Sequence, residues 1–229
     1  MDWISFWDGA HAIYVSERHK QLHYARIAAD LARHVPHPAA RVLDYGCGEA
    51  LSAPALARSC GHLTVCDAAP GVREKLRARF AGEDRVSVAS PDEVAALPDA
   101  SFDLIVANSL LQYLDRPVLL DLLALWRRLL AQDGTLLIAD VIPPDVGAAQ
   151  DALALLSFAA RGGFLGAAVV GLARTALSPY RKLRAELGLS MYREAEFLTL
   201  LRQAGYSAAR TRPNVGHNQN RMAFLARPA

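Results

Sequence analysis

The feature that most constrains this chain is an alternation of short, continuously apolar segments with stretches of helical periodicity. Residues 41–45, 62–66, 86–88, 102–107 and 135–140 read as strands, and residues 54–59, 72–80 and 116–130 read as helices among them. Strands that are apolar on both sides need cover on both faces, and helices that return the chain between strands make the sheet parallel. The tail breaks the pattern. Residues 194–204 read as a helix ended by Gly205, followed by two strands, 207–211 and 222–226. No helix separates those two strands, so they are expected to form an antiparallel edge hairpin around the polar loop 213–221.

Composition narrows the partners. The 229 residues are 52% apolar with a formal net charge of +2, enough core for one α/β domain and too little basic character for an electrostatic nucleic-acid binder. The three cysteines, Cys47, Cys60 and Cys66, are odd in number and contain no CxxC pair, which points away from a disulfide framework or structural zinc and toward a reducing, cytoplasmic setting. The start of the chain lacks the basic and long apolar regions of a signal peptide. The apolar run between Arg161 and Arg174 is too short for a membrane span. One domain, 1–229, is therefore expected. Its alternating core is flanked by an N-terminal segment, 1–36, and interrupted by an insertion, 143–190.

The segment that carries chemistry is Val42-Leu-Asp-Tyr-Gly-Cys-Gly-Glu49. The strand delivers Asp44 and turns at Gly46 and Gly48, where glycine permits both the tight turn and a close ligand approach. Free N–H groups of the following helix point at the same place. Asp67, 23 positions after Asp44, closes the second strand. There it can accept hydrogen bonds from both hydroxyls of a ribose. Leu51 occupies the third glycine position of GxGxxG, which argues against a dinucleotide site.

These residues resemble motif I of the class I S-adenosylmethionine-dependent methyltransferases, E/DxGxGxG, with Ala50 at the third glycine. The resemblance extends through Leu97-Pro-Asp-Ala-Ser-Phe-Asp103, which leads into strand four, and through Leu129-Leu-Ala-Gln-Asp-Gly-Thr-Leu-Leu-Ile138. It covers roughly residues 41–142 and the closing hairpin. It implies an α/β, Rossmann-like, seven-stranded, mostly parallel sheet with helices on both faces and a C-terminal antiparallel hairpin. It also implies S-adenosyl-L-methionine as cofactor. Asp44 would lie by the ligand's amino group, Gly46, Cys47 and Gly48 under its methionine part, and Asp67 on its ribose. Ala68 would pack on adenine. The adenine-edge contact after strand three has no clean match; Glu93 and Val94, or Ser90, occupy the stretch. Asn108, Ser109 and Leu110 would line the reaction centre.

Other residues remain open to two readings. His11, Tyr14, Arg18, His19, His23 and Tyr24 crowd the N-terminal segment, which fits either a lid over the ligand or a solvated amphipathic helix. His11, His19 and His217 are the candidate bases. His19 and His23 stand four apart, but no third metal ligand is evident, so no metal is expected. Cys47 is read as a cradle residue and not as a nucleophile. Loop residues 216–221 fit a solvated turn better than a substrate-facing loop. Tyr14, Tyr113, Phe164 and Leu165 are the candidate acceptor contacts. The last two lie in the apolar, glycine-bearing stretch 151–178, read as a flap over a lipophilic pocket, with added core, a homodimer interface or a peripheral membrane contact as alternatives.

The expected function is methyl transfer to a small, lipophilic acceptor. A nicotinamide-dependent oxidoreductase and a non-catalytic S-adenosylmethionine-binding protein are the competing readings.

Overall fold

The computed structural model describes residues 3–9, 14–176 and 188–229. Five strands, β1 (Arg41–Tyr45), β2 (His62–Cys66), β3 (Val86–Ala89), β4 (Phe102–Asn108) and β5 (Leu130–Val141), run parallel. Two more, β6 (Tyr206–Thr211) and β7 (Met222–Pro228), complete a seven-stranded sheet in the order β3-β2-β1-β4-β5-β7-β6. β7 is antiparallel to both of its neighbours, as the missing helix between the last two strands requires. The sheet is thus the mostly parallel α/β sheet with a C-terminal antiparallel hairpin that the sequence implies.

The strand pattern explains the layers. Successive side chains of a strand point to opposite faces, so Val42 joins one apolar cluster while Leu43 and Tyr45 join the other. Strand β4 splits in the same way, Leu104 and Val106 against Ile105 and Ala107. The Val42 face is covered by α2 (Glu17–Ala32), α3 (Ala53–Ala57) and α4 (Pro70–Arg79), through Leu31, Leu56 and Leu76. The other face is covered by α5 (Pro91–Ala95), α6 (Arg116–Leu129) and α9 (Glu194–Gln203). Asp115 caps α6 by accepting a 3.2 Å hydrogen bond from Val118 N–H, and Leu119, Leu123 and Trp126 form its buried stripe. Truncating Trp126 to Ala would cost about 3–5 kcal/mol, the usual range for a fully buried aromatic.

Three local features differ from the sequence reading. α4 begins at Pro70, whose fixed φ suits the first helical turn. β5 begins at Leu130, which pairs with Phe102 across a register shift, so the Asp133-Gly134 turn lies within the strand's span. The short α5 was not anticipated. Its signal is present in Ser90-Pro-Asp-Glu93: Ser90 Oγ accepts from Glu93 N–H at 3.1 Å, and Glu93 Oε2 accepts from Ser90 N–H at 2.6 Å.

The two segments outside the alternating core fold against it. α1 (Trp3–Asp8) docks on α4, where Asp8 accepts a 2.6 Å hydrogen bond from Gly71 N–H. The insertion forms a helical pair, α7 (Ala148–Gly162) and α8 (Leu165–Ala176), turned at Gly163 with φ +73°. Ala159, Phe164 and Ala168 pack there with Leu22 of α2 in a small separate core. Because β2 and β3 lie on one side of β1 and the remaining strands on the other, the carboxyl ends of β1 and β4 open a crevice, the usual ligand position in such sheets.

Candidate active site

A cavity of about 780 Å³ occupies this crevice, beneath α1 and α2. Its floor is the turn after β1. Gly46 and Gly48 hold φ of +77° and +57°, a region that favours glycine. A Cβ at Gly46 would stand 2.9 Å from Leu110 Cδ1. The turn is anchored by Gly46 and Cys47 N–H groups, which donate to the Cys66 carbonyl at 2.8 and 3.0 Å. Asp67 is held beside it, accepting from Gly48 N–H at 3.0 Å and from Ala69 N–H at 2.9 Å. Arg73 fixes the same corner by donating to the Asp67 and Ala68 carbonyls.

Electrostatics follow from burial. Burial, reinforced by the neighbouring Asp67, pushes the Asp44 carboxyl up to about 7. Asp67 is raised too, mainly by burial, with the Ala69 and Gly48 N–H groups pulling it back. Burial and both carboxylates hold the Cys47 thiol well above its ordinary value, so it stays protonated and is a poor nucleophile.

The structure brings most of the anticipated residues to this one cavity. Asp44, Gly46, Cys47, Gly48, Asp67 and Ala68 line its floor. Asn108, Ser109 and Leu110, with Tyr113, line the side formed after β4, and Tyr14, His19 and His217 line the opposite wall. Four residues lie elsewhere. Glu93 is engaged in the α5 capping box, and Val94 is buried in the core; Pro91 reaches the cavity in their place. Phe164 is buried in the small core beside α2, and Leu165 is 45% exposed; neither lines the cavity. His11 lies outside the described residues.

Further residues line it, among them two of the N-terminal segment's candidate lid residues. His23 and Tyr24 follow His19 along α2, and Trp3 and Trp7 hang from α1, with Tyr113 4.6 and 5.5 Å from their rings. Asp140, at the end of β5, lines it too. The four-residue spacing of His19 and His23, plain in the sequence, puts both on one helical face toward the cavity.

His19, His23 and His217 form a cluster with ring centroids 5.8 to 6.2 Å apart. Burial, aided by the mutual repulsion of the rings, lowers His19 to about 4 and His23 to about 3. Tyr14 lies 5.4 Å from His19 and 5.5 Å from His23. Among the described residues no group of three or more His, Cys, Asp or Glu is placed to hold a metal ion.

His217 reaches this cluster because loop 213–221 folds inward, contrary to the solvated turn that its composition suggests. Asn214, Val215, Gly216 and Arg221 are buried, and several of its polar groups bond protein. Gly216 N–H donates to the buried Asp30 at 2.9 Å, and Asn214 Nδ2 donates to the Val215 and Asn218 carbonyls. Arg221 forks onto Asp151 of α7 at 3.2 and 2.6 Å.

Residues 43–138 match the model of a methyltransferase domain. Uncharacterized methyltransferases of Mycobacterium bovis and Mycobacterium tuberculosis are 35% identical over 74 residues, 32% of this chain and 38% of theirs. The chain thus matches well under half the length of these curated relatives. The fold resembles DhpI, solved as a complex with SAH (TM-score 0.63, 15% identity, 99% of this chain and 95% of that one). It also resembles the 1,6-didemethyltoxoflavin-N1-methyltransferase of Burkholderia thailandensis, solved with 1,6-didemethyltoxoflavin and S-adenosylhomocysteine (TM-score 0.55, 22% identity, 90% and 78% coverage).

Proposed function

We propose, from the premise that residues 43–138 are a methyltransferase domain of the S-adenosylmethionine-dependent class, that this chain methylates a small, lipophilic acceptor. One observation carries the reading. The cavity that holds the Asp44, Gly46, Gly48 and Asp67 cradle is lined as well by the apolar side chains of Trp3, Ile4, Leu114, Val118 and Leu122. Its volume of about 780 Å³ falls in the range of small-molecule sites, and the apolar side chains favour an acceptor of low polarity.

The residues present fit the cofactor. Gly46 and Gly48 hold the left-handed backbone of the turn without a side chain that would strain it, and Asn108 Oδ1, on the cavity wall, is buried without a hydrogen-bond partner. On this reading Asp44 takes the ligand's amino group, Asp67 its ribose hydroxyls, and Ala68 packs on adenine. The bound sulfonium supplies an already activated methyl group. What remains for the chain is to align the acceptor and exclude water. α1, held over the cavity by Asp8 and by the Trp3, Trp7 and Tyr113 rings, supplies the water exclusion as a lid. Three free thiols fit a reducing, cytoplasmic setting, and among the described residues no helix is long and apolar enough to cross a membrane.

Titration calorimetry with S-adenosylmethionine, S-adenosylhomocysteine and NAD tests the cofactor. Labelled methyl donor incubated with fractionated lipid and metabolite extracts tests the transfer. Binding of NAD alone would turn the reading to an oxidoreductase; binding of the methyl donor with no labelled product would turn it to a non-catalytic binding protein.

A further inference from the structure

Three histidines converge on the cavity with no counterpart for their chemistry. His19 and His23 come from α2 and His217 from the inturned loop. Each leaves one ring nitrogen buried without a hydrogen-bond partner: His19 Nε2, His23 Nδ1 and His217 Nδ1. Buried polar atoms are nearly always paired, so three orphans gathered in one cavity call for a partner there, a ligand or a water.

The tautomer of His19 is settled by its neighbour. Val15 N–H donates to His19 Nδ1 at 3.3 Å, so that nitrogen holds a lone pair and the neutral ring carries its proton on Nε2. His19 therefore presents a donor, not a base. His217 differs. Its ring is stacked on Phe158 at 4.7 Å, and its chain neighbour Asn218 donates to Asp151 at 2.8 Å, which sets that carboxylate beside the ring where it favours the protonated form. Among the three, His217 is the ring with a nearby carboxylate to stabilise the imidazolium.

We propose that these histidines form the acceptor-oxygen site of the methyltransferase, with His19 Nε2–H donating to the oxygen and His217 taking its proton, and that the acceptor is a phenol. The inference rests on the methyl-transfer reading above and deepens it. As the acceptor oxygen forms its bond to the methyl carbon, the carbon–sulfur bond breaks with its electron pair returning to sulfur. The O–H proton passes to the His217 lone pair, and the resulting imidazolium returns it to water once product leaves. The acceptor class follows from acidity. A phenol ionises near 10, within a few pH units of an imidazole. An aliphatic alcohol ionises near the value of water, about 15.7, beyond the reach of so weak a base. A neutral amine attacks through its free lone pair and sheds a proton only after transfer, so it needs no base in that step.

His217 is faced by His19 and His23 from α2, by Phe158, Asp151 and Arg161 from α7, and by Arg221 of its own loop. Burial lowers it, Asp151 partly restores it, and Arg221 and Arg161 lower it again, so it stays below the ordinary histidine value and is neutral, with a free lone pair, at neutral pH.

The experiment uses the full chain with S-adenosylmethionine and a probe series of catechol, 4-methylcatechol, 4-nitrocatechol and 4-nitroaniline. Variants His217→Asn and His217→Gln are first checked for thermal melting and for S-adenosylhomocysteine affinity by calorimetry, both expected to match the parent. Catechol methylation is then expected to lose about 100-fold in kcat with KM nearly unchanged, the usual worth of a general base. The loss should shrink for 4-nitrocatechol, which is already largely ionised in solution. A merely structural role would slow every phenol equally. In the unsubstituted chain, kcat/KM should fall on the acid side through one ionisation below the ordinary histidine value, a result independent of how the variants fold. Methylation of 4-nitroaniline in preference to the catechols, equal losses across the phenols, or no turnover of any phenol would overturn the proposal while leaving cofactor binding intact. Absence of S-adenosylmethionine binding would overturn the methyl-transfer reading itself, and this inference with it.

Discussion

Ser109 Oγ donates a 2.8 Å hydrogen bond to the Asp140 carboxylate, and both residues hold left-handed backbone, with φ of +55° and +61°. They end adjacent parallel strands at the mouth of the same cavity, and Asn214 secures Asp140 by accepting from its N–H at 3.0 Å. Such backbone costs about 1–3 kcal/mol per residue and persists where surrounding contacts over-determine it, commonly at functional sites.

Burial raises the Asp140 carboxyl, against the pull of Arg221 and Ser109. The sign follows directly. The unfolded chain ionises first, so stability from this group is present at low pH and is lost as pH rises through the folded value. Asp140→Asn removes that loss and places a residue that tolerates left-handed backbone. At neutral pH the variant is expected to melt higher by roughly 0.5–2 kcal/mol of stability, with the gain absent in acid. Melting curves across pH check this; an equal change at every pH would count against a carboxylate origin.

Asp44 gives a second pH dependence. Its carboxyl is pushed up to about 7, so it is largely neutral below that value and charged above it. A ligand ammonium group favours the charged form. Affinity for S-adenosylmethionine should therefore rise with pH toward neutrality, by at most about tenfold per unit below 7, with proton release on binding. Asp44→Asn should bind weakly and without this slope. Calorimetry in buffers of differing ionisation enthalpy reads the proton directly, and flat affinity between pH 6 and 7.5 would remove Asp44 from the amino-group role.

Asp67 has two duties. It holds the Gly48 and Ala69 N–H groups and leaves lone pairs toward the cavity. Asp67→Ala is expected to weaken S-adenosylmethionine binding by about 1–3 kcal/mol, the cost of unmet polar partners. Asp67→Asn retains one acceptor and should lose less. Equal affinity in all three proteins would remove the ribose assignment.

The lid can be read by fluorescence. The three tryptophans divide cleanly: Trp3 and Trp7 line the cavity, whereas Trp126 is buried under the sheet. Adding S-adenosylhomocysteine should change emission in Trp126→Phe as much as in the parent. It should change nothing in a Trp3→Phe, Trp7→Phe protein. Limited proteolysis of the N-terminal segment should slow on the same addition, and identical cleavage with and without ligand would count against closure.

The β1 turn and the helix-separated strands were legible because their signals are local. Gly46 and Gly48 satisfy a backbone need, and a strand apolar on both sides declares its layer. The far wall was less legible because it is assembled by tertiary contacts. The loop that carries His217 to His19 is held by distant partners, among them Asp30, 186 positions before Gly216, which accepts that residue's N–H. No window of sequence around 213–221 reveals the partner that turns the loop inward. Glu93 and Val94 mislead for a converse reason: a capping box explains Glu93 completely, so its position after a strand carried no information about ligand.

The sequence marks the hairpin of α7 and α8 as a flap over the acceptor, and its two candidate contacts lie in different surroundings. Phe164 is buried beside Ala159 and Ala168, stacks on His19 at 5.1 Å, and accepts the α8 chain through its carbonyl to Ala168 N–H. Leu165, next in sequence, points to solvent. Phe164→Ala should cost about 3–5 kcal/mol as a buried aromatic removed, though a small satellite core that collapses readily would bring the loss to the lower end. Leu165→Ser should change stability by less than about 0.5 kcal/mol. Through His19, the Phe164 change should also raise KM for a phenolic acceptor before it touches cofactor affinity, because the ring that supports the donor is gone while the β1 cradle is untouched. Chemical denaturation and steady-state kinetics on the two single variants decide this. A kinetic defect in Leu165→Ser at unchanged stability would restore the flap as a substrate contact; a silent Leu165→Ser beside a high-KM Phe164→Ala would make the hairpin a buttress of the histidine wall.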